Sequence, residues 1–317
     1  MIAQEVFPGI YLLPGAHGTF STYAYVLDGD QPLLVDTIVR DKAEQLVLPA
    51  LAELNLAPAQ IVITHGHADH FGGLGAIQAA YPAAPVWAHA DDIAWIESVD
   101  RYLDEMYRQY GLAAGFKFDE ERLNWVRTLI SGQVSITHSL QPGQILRTGR
   151  FELEVQPVPG HSPGHIALVD SERRFALVAD APLGSGIVDR AGQRPFAPIY
   201  IDPVVYRHSL QLIRSWNVEL LLTGHLSPLR GAAGADFLDE SERFIDRCEE
   251  VIRTALEAAE AGLDFTALAQ KVDEALGPYL LGLPGFPCIL AHLRNLESLG
   301  VLRRTEQAGR PVWVRVP

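Results

Sequence analysis

Short apolar runs closed by glycine or a polar residue recur along the first two thirds of the chain. Residues 10–13, 23–27 and 33–36 have β-type composition and are separated by Gly-rich or Gly-Asp turns, which predicts strands. Residues 40–54 switch to helical spacing, with Ala43, Leu46, Val47, Leu51 and Leu54 on one face. A buried strand is predicted at 61–64, a helix at 73–80 and another strand at 85–88. Residues 91–130 read as one long helical stretch carrying Trp95, Tyr102, Met106, Tyr107, Tyr110, Phe116, Phe118 and Trp125. Strand character returns at 151–158, 166–170 and 175–179, the last two joined by a Ser-Glu-Arg-Arg turn. A helix at 203–216 and a buried strand at 218–223 follow. Strands on both sides of a central connection, with helices between them, predict an α/β protein with two sheets covered by helices.

After Gly234 the pattern becomes helical, with acidic Ala/Leu-rich segments at 236–261 and 264–276. Residues 289–317 read as a helix ending at Leu299-Gly300, then a hairpin carrying Arg303, Arg304, Arg310 and Arg315. That order resembles the recognition helix and wing of a winged-helix module. The predicted division is a catalytic unit at 1–232, with a helical insertion at 91–130, and a helical, winged-helix-like unit at 233–317.

A length of 317 residues fits one large domain or a domain plus an appendage. The 39 acidic against 25 basic side chains give a net charge of −14, which argues against broad nucleic-acid or anionic-membrane binding. The tail from Leu283 runs the other way, with five Arg and two Glu, leaving −17 for the rest. Only Cys248 and Cys288 are present, so no disulfide framework is expected and both read as buried structural thiols. The opening Met-Ile-Ala-Gln-Glu lacks a basic stretch followed by an apolar one, and no apolar run approaches bilayer length. The expected location is the cytoplasm.

The chemistry concentrates where apolar strands end. Thr64-His65-Gly66-His67-Ala68-Asp69-His70 packs three imidazoles and a carboxylate behind a strand, with small residues between them that leave little bulk for packing. In an extended segment, residues two apart point the same way, so His65 and His67 can grip one metal while Asp69 and His70 face a second. Neutral imidazole and carboxylate suit zinc, manganese or iron. Three further clusters stand in the same context: Gly160-His161-Ser162-Pro163-Gly164-His165, Ala179-Asp180 and Gly224-His225. Ligands fixed at strand ends are how α/β folds assemble sites.

Together with Leu34-Val35-Asp36-Thr37, these motifs resemble the metallo-β-lactamase superfamily over roughly residues 10–228. The resemblance implies an αββα sandwich. It implies one metal on His65, His67 and His161, another on Asp69, His70 and His225, and Asp180 bridging both. His165 is implied to be structural, and Asp36 to orient a ligand histidine. The cofactors expected are two divalent ions, zinc first. The reaction implied is attack by a metal-bridging hydroxide on an ester, lactone or thioester of a small acyl substrate.

Asp180 stands where true β-lactamases of this fold carry Cys, so the chain is more similar to glyoxalase II, lactonases and related thioesterases than to antibiotic-hydrolysing members. Asp69 is a candidate for handling a proton. Tyr200 is a candidate for hydrogen-bonding the substrate carbonyl, by its position on the loop after Asp180. Glyoxalase II binds glutathione with basic residues in its helical region, whereas residues 236–274 here hold 12 acidic against 4 basic side chains. A glutathione thioester is therefore disfavoured. Two other readings remain at this stage: a winged-helix-assisted phosphodiesterase or endoribonuclease, and a metal-binding ligand sensor without turnover. The tail is expected to pack against the body or against a second subunit, which leaves a homo-oligomer open.

Overall fold

The computed structural model describes residues 2–282 and 285–316, so the first two residues of the Arg-rich tail and its last fall outside the described residues. The first seven strands form one sheet in chain order: β1 (Gln4–Phe7), β2 (Ile10–His17), β3 (Phe20–Leu27), β4 (Leu33–Val35), β5 (Gln60–Val62), β6 (Val86–His89) and β7 (His138–Leu140). β1 to β4 pair antiparallel and β4 to β7 pair parallel. A six-stranded sheet follows, built from β8 (Ile145–Thr148), β9 (Phe151–Pro157), β10 (Ile166–Asp170), β11 (Phe175–Ala179), β12 (Leu220–Thr223) and β13 (Leu229–Arg230). Its β11–β12 pair is parallel and its other pairs are antiparallel.

The period-2 alternation of each strand builds the layers. Leu33, Val35 and Val62 point between the sheets, where they meet Leu153, Leu168, Leu177 and Leu222. Leu34, Ile61 and Ile63 point the other way, into helices that include Val47, Leu51 and Ile77. On the second sheet, Ala167, Val178 and Leu221 turn outward against Tyr206, Leu210 and Ile213 of the helix Pro203–Ser215. That helix starts where Asp202 accepts from the backbone N–H groups of Val204 and Val205, with Pro203 in its first turn. Helix, sheet, sheet, helix is the layer order the sequence implied.

The insertion differs from one continuous helix. It breaks at Ser98, which is extended and caps the next segment, and at Gly115, whose φ of 85° ends a helix in the left-handed region. The resulting pieces are Ala90–Glu97, a run from Val99 to Ala114 with a π-helical stretch at Asp104–Gln109, and Glu120–Thr128.

Helices Ala232–Glu257, Phe265–Leu276 and Pro287–Ser298 follow, with a small sheet of β14 (Leu263–Asp264), β16 (Arg310–Arg315) and β15 (Leu302–Gln307). The helix, Gly300 and hairpin expected near the C-terminus are present. Phe244, Ile252, Leu293 and Trp313 share one apolar core with Ala167 and Val178 of the second sheet, so this region packs on the body. Cys248 and Cys288 are free and buried. Among the described residues, no helix is long and apolar enough to cross a membrane.

Candidate metal centre

Every motif singled out in the sequence leaves the same end of the two sheets. Asp36 follows β4, the His65–His70 segment follows β5, His161 follows β9, Asp180 follows β11 and His225 follows β12. The backbone turns sharply at two of these exits. Asp36 and Ala179 sit at φ 61° and 42°, a region that non-glycine residues occupy at a cost and that concentrates at functional sites. Gly224 is needed for space, because a Cβ there would lie 2.2 Å from Asp180 Oδ1 and 2.7 Å from His70 Cε1.

The side chains at these exits converge. The ligand atoms of His65, His67 and His161 lie within 4.8 Å of one another, as do those of Asp69, His70 and His225 and those of His65, His70 and Asp180. Asp180 Oδ2 joins the groups. It stands 2.9 Å from His225 Nε2, 3.4 Å from His70 Nε2 and 3.7 Å from His161 Nε2. Asp69 is half-buried, with Oδ2 3.5 Å from His225 Nε2.

The second nitrogens of His70, His161 and His225 are fixed by groups behind them. Asp36 Oδ2 receives His70 Nδ1 at 2.8 Å, and the same carboxylate accepts from the N–H and hydroxyl of Thr64. His161 Nδ1 meets the Ile199 carbonyl at 2.7 Å, and His225 Nδ1 meets the Ser21 carbonyl at 2.7 Å. Each ring therefore presents Nε2 to the centre, the orientation that partners behind metal-ligating histidines impose. His165 is placed as a structural residue: it stacks on His65 at 4.6 Å and its Nε2 accepts from the Asp180 N–H at 3.3 Å.

Electrostatics divides the cluster. Burial drives the pKa values of His67 and His161 down to about 3, and those of His65 and His165 well below the usual range, with neighbouring imidazoles adding to the effect. These rings are neutral at pH 7, and those of His65, His67 and His161 can donate lone pairs to a cation. Burial would also lower His70 and His225, but the Asp180 and Asp69 carboxylates outweigh it and raise both. Burial would raise Asp180, yet His225 and His70 hold it well below the carboxylate range. A buried anion facing imidazoles, beside a buried His67 Nε2 and Asp180 Oδ1 that have no hydrogen-bond partner, is a donor set suited to a divalent cation.

One residue at the centre has no sequence signature. Asp92, in the first turn of Ala90–Glu97, is buried and accepts three hydrogen bonds: Gly66 N–H at 2.7 Å, Ser162 Oγ–H at 2.5 Å and Gly164 N–H at 2.7 Å. It ties the His65–His67 segment to the His161 loop. In the sequence it is indistinguishable from any acidic residue that favours a helix N-terminus. Tyr102 adds a smaller restraint, its hydroxyl accepting from Ala68 N–H at 3.3 Å.

Tyr200 corrects the expectation placed on it. It is fully buried, its ring stacks on Tyr206 at 4.9 Å, and its hydroxyl meets His292 Nε2 at 2.8 Å. The loop turns it toward helix Pro287–Ser298, and it does not line the cavity over the cluster. That cavity, about 340 Å³, is lined by His67, Asp69, Asp180 and His225 below and by Met106, Tyr107 and Trp125 of the insertion above. The insertion lines it with Tyr102, Arg122 and Leu129 as well. Most of its other aromatic rings pack on one another, as Phe116 and Phe118 do at 5.2 Å.

Comparison with known proteins agrees with this geometry. The sequence model of the Metallo-beta-lactamase superfamily matches residues 17–225. A hydroxyacylglutathione hydrolase of Haemophilus influenzae is 29% identical over 147 residues, 46% of this chain and 59% of its own length. The chain thus spans under two thirds of that relative. A hydroxyacylglutathione hydrolase of Xanthomonas euvesicatoria is 26% identical over 74% of this chain and 72% of its own. A human acyl-coenzyme A thioesterase is 27% identical over 54% of this chain and 57% of its own. Among solved structures, a metallo-beta-lactamase family protein of Thermus thermophilus superposes with a TM-score of 0.78 at 22% identity, covering 98% of this chain and all of that one. A fold of two sheets with its chemistry at one end, and a sequence match spanning every residue of the cluster, lead to one assignment: the chain belongs to the metallo-beta-lactamase superfamily.

Proposed function

We propose that this chain is a hydrolase with two divalent metal ions, zinc first, that cleaves a carboxylic ester, lactone or thioester of a small acyl substrate. His65, His67 and His161 would hold one ion, Asp69, His70 and His225 the other, and Asp180 would touch both. The observation that carries the reading is the position of Asp180 Oδ2, within 3.7 Å of imidazoles from each group. When bound, such ions would lower the pKa of a nearby water toward about 7 and polarise a carbonyl oxygen.

The residues supply the rest. Burial keeps His65, His67 and His161 neutral, and so competent as donors. Asp36 fixes the ring of His70. Asp69 opens onto the cavity, where its carboxylate can take the proton that water gives up. No serine or cysteine nucleophile is needed, since Cys248 and Cys288 lie buried in the core packed on the far side of the second sheet.

Acyl substrates are favoured over phosphodiesters on charge. The chain outside the tail carries −17, and phosphate contacts dominate nucleic-acid affinity. Of the tail arginines, Arg310 and Arg315 lie beside Asp264 and Glu257, and Arg304 lies over Trp313. The relatives described as thioesterase and hydroxyacylglutathione hydrolase support the same class of bond. The acidic residues of 236–274 speak against glutathione as the thiol.

The test is a panel of esters, lactones, thioesters, bis-nitrophenyl phosphate and single-stranded RNA at two salt concentrations. It is run with the parent and with a variant in which Arg303, Arg304, Arg310 and Arg315 are replaced by Gln. Acyl turnover is expected, and within about twofold in the variant. RNA cleavage that the variant loses, its salt slope shallower by about one unit per lost phosphate contact, with no acyl substrate turned over, would overturn the reading.

A further inference from the structure

The cavity over the metal cluster does not end at the roof. A second cavity, also about 340 Å³, shares Met106, Tyr107, Arg122, Phe196, Ile199 and Leu281 with the first, so the two adjoin along one wall. Its farther walls come from two segments distant in sequence. Trp95, Tyr110 and Phe118 belong to the insertion, and Pro287, Leu290 and Ala291 to a C-terminal helix. The C-terminal region therefore builds part of the cleft as well as packing on the body.

Several polar groups on this chamber's walls are engaged with one another or with neighbours, while the exposed Arg294 also stands on its lining. Glu105 accepts from Trp95 Nε1 at 2.6 Å and from Arg101 Nε at 2.7 Å. The Tyr200 hydroxyl is taken by His292 at 2.8 Å, and the Arg122 guanidinium lies 4.3 Å from the centre of the Trp125 ring. The lining between Trp95, Phe118, Phe196, Ile201, Leu290 and Ala291 is hydrocarbon, a surface that favours an alkyl chain, with Arg294 beside it. The metal cavity has another border, at the exposed residues Gly18 and Thr19. A polar leaving group held there has water beside it.

We infer that the chamber between the insertion and helix Pro287–Ser298 binds the apolar acyl chain of the substrate, with the scissile carbonyl over the cluster and the leaving group at the Gly18–Thr19 border. This rests on the proposed acyl hydrolysis and narrows it to acyl groups with an extended hydrocarbon chain. The reaction is balanced by water alone: the acyl carbon–X bond breaks, a carbon–oxygen bond to water forms, and one water proton leaves with X as the alcohol or thiol.

Two series of esters test it. One extends the acyl group from acetyl to decanoyl on a fixed leaving group, and the other extends the alcohol on a fixed acetyl group. Each methylene added on the acyl side is expected to raise kcat/KM by up to about fourfold until the chamber is full. Ala291→Trp fills the chamber and should flatten that profile, lowering the octanoyl-to-acetyl ratio at unchanged metal content. Phe118→Ala enlarges it and should move the optimum to longer chains, which keeps the test alive if the tryptophan variant does not fold. Calorimetry with decanoate and acetate gives a readout independent of turnover: decanoate should bind the parent more tightly, and Ala291→Trp should abolish the difference. A flat acyl profile, a dependence on alcohol length instead, or equal binding of the two carboxylates would overturn the inference. Absence of any acyl turnover with decanoate binding intact would instead remove the proposed reaction and leave the chamber standing.

Discussion

Asp180→Asn is expected to abolish turnover while leaving the fold intact. The carboxylate is buried, is held anionic by His225 and His70, and reaches imidazoles on both sides of the centre. The amide has nearly the same shape but no charge, and its nitrogen carries protons where a cation would need a lone pair. Removing a partner behind a metal ligand typically costs about 10–100-fold in affinity or activity. A residue touching both ions should cost more than that, with at least one ion lost. The checks are kcat/KM on an acyl substrate, metal per chain, and circular dichroism of the metal-free protein, which should match the parent. Near-parent activity with full metal content would show that Asp180 does not join the two sites.

Asp92→Ala is expected to be the most damaging single change outside the ligand set. It strands two backbone N–H groups and one hydroxyl in the interior, each at about 1–3 kcal/mol. The sum is about 3 kcal/mol or more, a fall in Tm of roughly 5–10 °C. Metal affinity should fall with it, because the histidines after β5 and the histidine after β9 lose their common anchor. Asp92→Asn keeps one acceptor oxygen and should fall between. Thermal unfolding and competition with a chromogenic chelator measure both effects. An alanine variant with parent stability and parent affinity would remove Asp92 from the account.

Much of the centre was legible because its residues sit where local pattern changes abruptly. An apolar run closed by a polar residue marks a strand exit, and Asp36, His65, His161, Asp180 and His225 all follow such runs. The elements that were missed have weak local signals. β1 and β8 are four residues each, β7 is His-Ser-Leu, a strand by virtue of pairing with Trp87–His89, and β13 and β14 are two residues each. The π-helical stretch Asp104–Gln109 keeps a helical pattern of side chains, so nothing in the spacing sets it apart.

Asp92 was invisible for a different reason. Its partners are 26, 70 and 72 residues away, and only the folded chain brings them to one carboxylate. Tyr200 failed in the opposite sense. Loop position was the whole basis of the expectation, and the direction of the side chain is set by Tyr206 beside it and by His292, 92 residues downstream. The walls of the acyl chamber come from residues near 95–122, from Pro163, from 196–201 and from 281–294, which only the fold brings together.

The central claim is a centre of two metal ions that carries out hydrolysis. Elemental analysis of protein purified without chelators, paired with acyl-ester hydrolysis before and after dialysis against a chelator and after return of zinc, tests it most directly. The account gives two ions per chain, loss of hydrolysis with their removal, and recovery with zinc. A firm stoichiometry of zero in protein that is folded and hydrolyses the ester at an unchanged rate would contradict it.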